Sequence, residues 1–186
     1  MIDHFGFLAP FYEKVIPLPD VEQLQRLLNL PVQGRLLDAG GGTGRVSAQL
    51  IPLVDELVLT DSSAGMLAQA RQKKELKISQ SHTERLPFAD SSFHRILVVD
   101  ALHHFANQRE AISDMARVLK AGGRMVIEEP NIKHFRVKLI ALVEKIALMQ
   151  SHFMYPEEIR NELTGHGLRA RIEEDSHFTV WVIADK

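Results

Sequence analysis

Leu36-Leu37-Asp38-Ala39-Gly40-Gly41-Gly42-Thr43-Gly44-Arg45 decides how the rest of this chain is read. A short apolar run ends in a carboxylate, breaks into closely spaced glycines, and gives way to residues of helical character over 46–50. Glycine admits positive φ and lets a ligand lie directly on the backbone, while a helix start offers N–H groups without intrahelical partners. A strand, a glycine turn and a helix in that order predict a bound polar ligand. The spacing narrows the choice. A dinucleotide fingerprint needs its third glycine at position 45, where Arg45 stands, and a phosphate loop needs a lysine that does not follow these glycines. The pattern present is D-x-G-x-G-x-G: Asp38, Gly40, Gly42 and Gly44.

Downstream, Glu56-Leu57-Val58-Leu59-Thr60 runs into Asp61. That separation suits a carboxylate that accepts hydrogen bonds from ribose hydroxyls. Asp-Ser-Ser before a helix is also a good N-cap, but a cap does not account for the glycines upstream. Together the two features predict a nucleoside site.

The same rhythm continues. Residues 95–99 read as a buried strand leading into Asp100, residues 124–127 as another leading into Glu128, and residues 78–81 as a weaker one. Between them, 66–74 and 111–119 have helical period, the second with Ile112, Met115, Ala116 and Leu119 on one face. Asn107 with Glu110 resembles a capping box, and Gly122-Gly123 supplies a stop. Alternating strands and helices predict an α/β fold, a doubly wound parallel sheet whose ligand site lies at the carboxyl ends of the strands. Residues 169–174 and 178–184 are too close for a crossover helix, so they pair antiparallel.

Composition sets the outer limits. A chain of 186 residues suits one domain. With 45% hydrophobic and 25% charged residues it has a globular profile. A net charge of -2 disfavours nucleic acid as the main partner. The absence of cysteine removes thiolate chemistry and zinc ribbons, and fits a reducing cytoplasm. No stretch approaches the about 20 apolar residues of a membrane span, and residues 139–143 are cut off by Glu144 and Lys145.

Four segments carry a resemblance to the class I S-adenosylmethionine-dependent methyltransferases, in particular the branch with the ubiquinone/menaquinone biosynthesis C-methyltransferases. They are the glycine segment above, then Leu59-Thr60-Asp61-Ser62-Ser63-Ala64-Gly65-Met66-Leu67, then Glu84-Arg85-Leu86-Pro87-Phe88-Ala89-Asp90-Ser91-Ser92-Phe93, and Val118-Leu119-Lys120-Ala121-Gly122-Gly123-Arg124. The resemblance implies a Rossmann-like, seven-stranded sheet with a reversed last strand. It implies a single domain over 1–186 with 1–30 as an N-terminal lid or cap, and S-adenosylmethionine as cofactor. In that frame the loop from Asp38 through Gly40, Gly42 and Gly44 meets the methionine moiety and Asp61 the ribose. Ser62 and Met66 lie around the adenine, Thr83 and Glu84 at its edge, and Asp100 and Ala101 beside the sulfonium. Tyr12 matches a lid tyrosine near the cofactor. The family's usual Asp two places before Glu84 is here His82.

Methyl transfer is an in-line displacement, so positioning and exclusion of water do most of the work and no metal is required. A phenol, enol or ring-carbon acceptor gains from a general base, and histidine suits that task. His103 and His104 follow the fourth strand; adjacent side chains on a helical turn diverge by roughly 100°, so at most one is expected to face the acceptor, the alternative being a packing role for both. The aromatic entry Phe5-Gly6-Phe7-Leu8-Ala9-Pro10-Phe11-Tyr12 and the strongly apolar stretch over 138–150 could cover a small or lipid-like acceptor. The latter equally fits a helix buried on two sides or a homodimer contact. A non-catalytic S-adenosylmethionine-binding module would keep the glycine loop and Asp61 without a closed acceptor pocket.

Overall fold

The computed structural model describes residues 9, 10, 12, 13, 18–132, 152–175 and 179–186. Most of the aromatic entry and the apolar stretch over 138–150 therefore lie outside the described residues, as does Phe178. The chain order is α1 (Val21–Leu28), β1 (Val32–Ala39), α2 (Ser47–Leu50), β2 (Val54–Asp61), α3 (Ala64–Ala70), β3 (Lys77–Gln80), β4 (Phe93–Val99), α4 (Gln108–Val118), β5 (Leu119–Pro130), α5 (Pro156–Gly165), β6 (Arg169–Glu174) and β7 (Thr179–Asp185). Seven strands form one sheet in the order β3-β2-β1-β4-β5-β7-β6. The first five run parallel, and β7 inserts antiparallel between β5 and β6. The predicted α/β fold with its reversed hairpin is thus present.

Central strands are buried on both faces, which explains their near-continuous apolar runs. Leu37, Ile96, Val98, Met125 and Ile127 pack against the α4 and α5 side, whereas Leu36, Leu97 and Val126 pack against α1 and α2. Burial of each such side chain contributes about 2 kcal/mol. α1 shows how local signals set an element. Asp20 accepts from Gln23 N at 2.9 Å, Leu24, Leu27 and Leu28 form the buried stripe, and Asn29 ends the helix at φ 53°. Its last carbonyls face cations: Arg95 donates to Leu28 O at 2.5 Å and Arg124 to Leu27 O at 3.2 Å. Positive charge is favourable at that end of the helix dipole.

Two helices differ from their sequence reading. The one expected over 66–74 spans Ala64–Ala70, because Arg71 and Gln72 are exposed and offer no further buried anchor. The one expected over 111–119 spans Gln108–Val118, and Leu119 already belongs to β5. Gly122-Gly123 is therefore not a helix stop but an irregularity inside a long strand, with Gly122 at φ +73° and its N–H on Lys186 O at 2.8 Å. Asn107 does cap α4, accepting from Glu110 N at 3.3 Å. The return arm comes from elsewhere, since Asn107 N donates to Glu84 Oε1 at 3.0 Å. Among the described residues no helix is long and apolar enough to cross a membrane.

Candidate active site

The glycine turn leaves the carboxyl end of β1 and is sewn to β2 by its own backbone. Gly40 N and Gly41 N both donate to Thr60 O, at 2.8 and 3.0 Å. Gly40, Gly42 and Gly44 hold φ of +74°, +57° and +74°, a region that side-chain-bearing residues enter only with strain. At Gly40 the need is also steric: a Cβ there would lie 2.8 Å from Ala101 Cβ and 2.9 Å from the Phe105 ring. Asp61 closes the loop from β2, accepting from Gly42 N at 2.9 Å through Oδ2 and from Ser63 N at 2.8 Å through Oδ1.

These elements frame a cleft of about 350 Å³, part of it open to solvent. Its floor is Asp38, Gly40, Gly41 and Gly42; its walls are Arg45, Val46, Val99, Asp100 and Tyr12. Asp38 is 2% exposed and accepts from Ser47 Oγ at 2.5 Å. Burial pushes its carboxyl up to about 6, against the opposing pull of the Ser47 hydrogen bond and Arg45, with Asp61 adding to the rise. Arg45, though buried, brings Nη2 to 3.8 Å from Asp100 Oδ2 and its guanidinium to 5.9 Å from the Tyr12 ring centroid. Burial also raises Tyr12 above the usual phenol range, with Arg45 opposing. Asp100 sits at φ 50°, turning the chain sharply out of β4.

Beyond Asp100, the carboxyl ends of β4 and β5 hold a second polar group of residues. Glu128 and Glu129 alternate to opposite faces of β5 and both are buried. Glu128 accepts from Trp181 Nε1 at 2.6 Å, and burial lifts it to about 7, eased by that hydrogen bond and Arg45 and reinforced by Asp100 and Glu129. Glu129 Oε1 accepts from Ala101 N and Leu102 N at 3.1 and 2.8 Å, while its Oε2 lies 2.5 Å from His103 Nδ1. The expected divergence of His103 and His104 does not occur. The pair sits in a tight 3-10 turn over Leu102–His104 with ring centroids 3.9 Å apart, and Phe153 stacks on His103 at 4.3 Å.

Residues 37–127 match the Methyltransferase domain family. Over those residues the chain carries a methyltransferase domain. It is 36% identical over 105 residues to a ubiquinone/menaquinone biosynthesis C-methyltransferase, UbiE, of Coxiella burnetii, covering 51% of this chain and 42% of that protein. It is 34% identical over 113 residues to YcgJ, an uncharacterized methyltransferase of Bacillus subtilis, covering 54% and 45%. The chain thus spans less than half the length of these curated relatives. Among solved structures, a SAM-dependent methyltransferase of Thermotoga maritima superposes with a TM-score of 0.80 over 97% of both chains at 20% identity, a likeness of fold.

S-adenosylmethionine is the cofactor of this class, and the methyltransferase domain offers a fitting set of groups. The cofactor carries an ammonium and a sulfonium, which suit Asp38 and Asp100, and a carboxylate, which suits Arg45. The glycine floor leaves room that a Cβ would fill. Of the residues singled out in the sequence, Tyr12, Asp38, Gly40, Gly42 and Asp100 line the cleft directly. Asp61 joins it through Gly42 N, Met66 Sδ lies 3.9 Å from where a Gly42 Cβ would stand, and Ala101 presses on Gly40. Gly44 instead faces Leu59, Leu76 and Lys73, Ser62 is exposed with its carbonyl accepting from Gln80, and Thr83 is buried. Glu84 holds the start of α4, and His82 is exposed. Sequence reasoning passed over Arg45, noticed only as a misplaced glycine, and Glu129, whose partners lie 26 to 28 residues away.

Proposed function

We propose that this domain transfers the methyl group of S-adenosylmethionine to a small, apolar or planar acceptor held at the carboxyl ends of β4 and β5. The observation that carries it is the convergence of the glycine floor, Asp38, Asp100 and Arg45 on one cleft. When bound, the cofactor supplies an electrophilic methyl on a sulfonium. The chain's own part is to hold that group and shield it from water. In this reading the loop from Asp38 to Gly44 takes the methionine portion, with Arg45 against its carboxylate. Asp61 takes the ribose, Ser62, Met66, Thr83 and Glu84 surround the adenine, and Asp100 and Ala101 flank the reacting centre. Tyr12 belongs to a lid within 1–30 that ends ahead of α1, whose leucines are packed against the sheet, and one of His103 and His104 serves as base. A planar acceptor accords with relatives named for ubiquinone and menaquinone biosynthesis. A cytoplasmic setting accords with a chain that has no cysteine to oxidise. Whether the chain pairs as a homodimer is read from its mass in solution.

The test is release of S-adenosylhomocysteine from S-adenosylmethionine across a panel of hydroquinones, catechols, enols and amines. Turnover with at least one planar acceptor is expected. Tight cofactor binding without turnover of any panel member would leave a non-catalytic binding module, and absence of cofactor binding would overturn both.

A further inference from the structure

We infer that Glu128 is a selectivity residue: its carboxylate, buried one strand behind the cleft wall, favours the sulfonium form of the cofactor over the uncharged thioether left after transfer, and so helps to expel the product. This rests on the methyl-transfer reading above, with the sulfonium beside Asp100.

The placement comes from the sheet. Val99, the last residue of β4 and part of the cleft wall, lies opposite Glu128 in the parallel pairing of β4 with β5, and Glu128 lies opposite Trp181 in the antiparallel pairing of β5 with β7. Side chains paired in register share a face of the sheet. On that face Val46, Val99 and Trp181 belong to one apolar cluster, and Trp181 Nε1 donates to Glu128 Oε2 at 2.6 Å. The residue after Val99 is tied to the same place, since Asp100 N donates to Glu128 O at 3.0 Å. Glu128 is therefore an acid only 4% exposed, set between Val99 and Trp181 behind the wall where Asp100 and Arg45 approach to 3.8 Å.

The charges acting on it come from Arg45 in the glycine loop, Asp100 at the end of β4 and Glu129 on the other face of β5, while β7 brings the neutral indole of Trp181. Once Glu128 is ionised, this corner holds more negative charge than positive. A cation brought to Asp100 is then attracted by both acids, and in surroundings of low dielectric that attraction reaches across the thickness of a side chain. Burial sets when the charge is present, because it lifts Glu128 to about 7.

Substrate and product differ in the charge that Glu128 senses. S-adenosylmethionine carries an ammonium, a carboxylate and a sulfonium. When the acceptor takes the methyl carbon, the C–S electron pair stays on sulfur, and S-adenosylhomocysteine keeps the ammonium and the carboxylate alone. Asp38 and Arg45 meet groups common to both, so they do not tell the two apart. Above about pH 7 the ionised Glu128 attracts the sulfonium and gains nothing from the thioether; below it the protonated acid treats both alike. By the same coupling, S-adenosylmethionine binding draws the proton off Glu128.

The experiment uses the full chain. Calorimetry gives the affinities of S-adenosylmethionine and S-adenosylhomocysteine between about pH 5.5 and about pH 8. Their ratio should move about tenfold towards S-adenosylmethionine through neutral pH in the wild type. It should stay flat in Glu128→Gln, which keeps an acceptor for Trp181 without the charge. Asp38 titrates in the same range but meets the ammonium that both ligands carry, so it cancels from the ratio. Near pH 7, titrations in two buffers of different ionisation enthalpy should show S-adenosylmethionine releasing about 0.4 proton more from the wild type than from the variant, the amount for a fall of about one unit from about 7. With S-adenosylhomocysteine the two proteins should release alike. A flat wild-type ratio, an equal rise in Glu128→Gln, or equal proton release with S-adenosylmethionine would each overturn the inference and leave the methyl-transfer reading standing. Failure of the wild type to bind either ligand would sink that reading, and this inference with it.

Discussion

The two halves of the cleft recognise by different means. On the β1–β2 side, the chain presents backbone: Gly40 and Gly41 are pinned to Thr60 O, Gly42 to Asp61, and the surface is shaped by missing side chains. On the β4–β5 side it presents side chains in buried pairs, Glu129 with His103 and Glu128 with Trp181. A backbone cradle tolerates no added bulk but carries little charge of its own. A buried side-chain network tolerates small changes of shape, yet its carboxylates are costly to ionise away from water. The first half should thus fail sterically and the second electrostatically.

Gly40→Ala tests the steric half and should give the largest effect. A methyl at φ +74° adds backbone strain of about 1–3 kcal/mol, and the short approach to Ala101 and Phe105 adds overpacking of similar size. S-adenosylhomocysteine affinity should fall at least about 100-fold by calorimetry. Gly122→Ala shares the positive φ, at +73°, but nothing lies within 4 Å of the new methyl, so it should leave the affinity unchanged. Equal losses in the two variants would show that strain alone, not the fit to Ala101, governs the loop.

Glu128 tests the electrostatic half through pH. Its folded value of about 7 lies above the ordinary 4.5, so between these limits the folded protein keeps a proton that the unfolded chain has lost. The stability tied to that proton is fully present below about 4.5 and disappears as pH rises through about 7. At 1.36 kcal/mol per pKa unit it amounts to about 3 kcal/mol. Asp38, raised to about 6 from 3.8, drains stability in an overlapping window. Glu128→Gln mimics the protonated form and keeps an acceptor for Trp181 Nε1. Urea unfolding should find the variant equal to wild type near pH 4.5 and more stable by up to about 3 kcal/mol at pH 8. A gap that does not widen with pH would mean Glu128 ionises without penalty.

The contrast also explains what could be read from the sequence. The glycine half was legible because its geometry demands one residue type at fixed local spacing, and Asp61 follows at the end of the adjacent strand. The α/β alternation and the antiparallel C-terminal pair were legible from apolar runs and the short gap before β7; the strand order was not. Glu129 was not, because its partners come from another strand's loop and Glu-Glu-Pro at a strand end has no distinctive spacing. The divergence expected of His103 and His104 failed because ring packing, with Phe153 stacked on His103 and His104 against it, sets where the two side chains end; the 3-10 backbone alone would separate them by about 120°. Gly122-Gly123 looked like a helix stop because glycine marks positive φ without saying which element it interrupts.

Arg45 lies where the two halves meet, and it supplies the smallest and most selective effect. It belongs to the glycine loop by sequence but reaches Asp100 on the other side, and it is the one guanidinium among the described residues lining the cleft. If it holds the amino-acid carboxylate of the cofactor, Arg45→Gln should remove a charge-assisted interaction of about 1.5–3 kcal/mol from S-adenosylhomocysteine. 5′-Methylthioadenosine shares the nucleoside and the sulfur but lacks the amino-acid tail. Its affinity should be nearly unchanged by the same substitution. A parallel loss for both ligands would assign Arg45 to shaping the cleft through Asp100 and Tyr12 rather than to the carboxylate. No loss for either would place the carboxylate away from the glycine loop altogether.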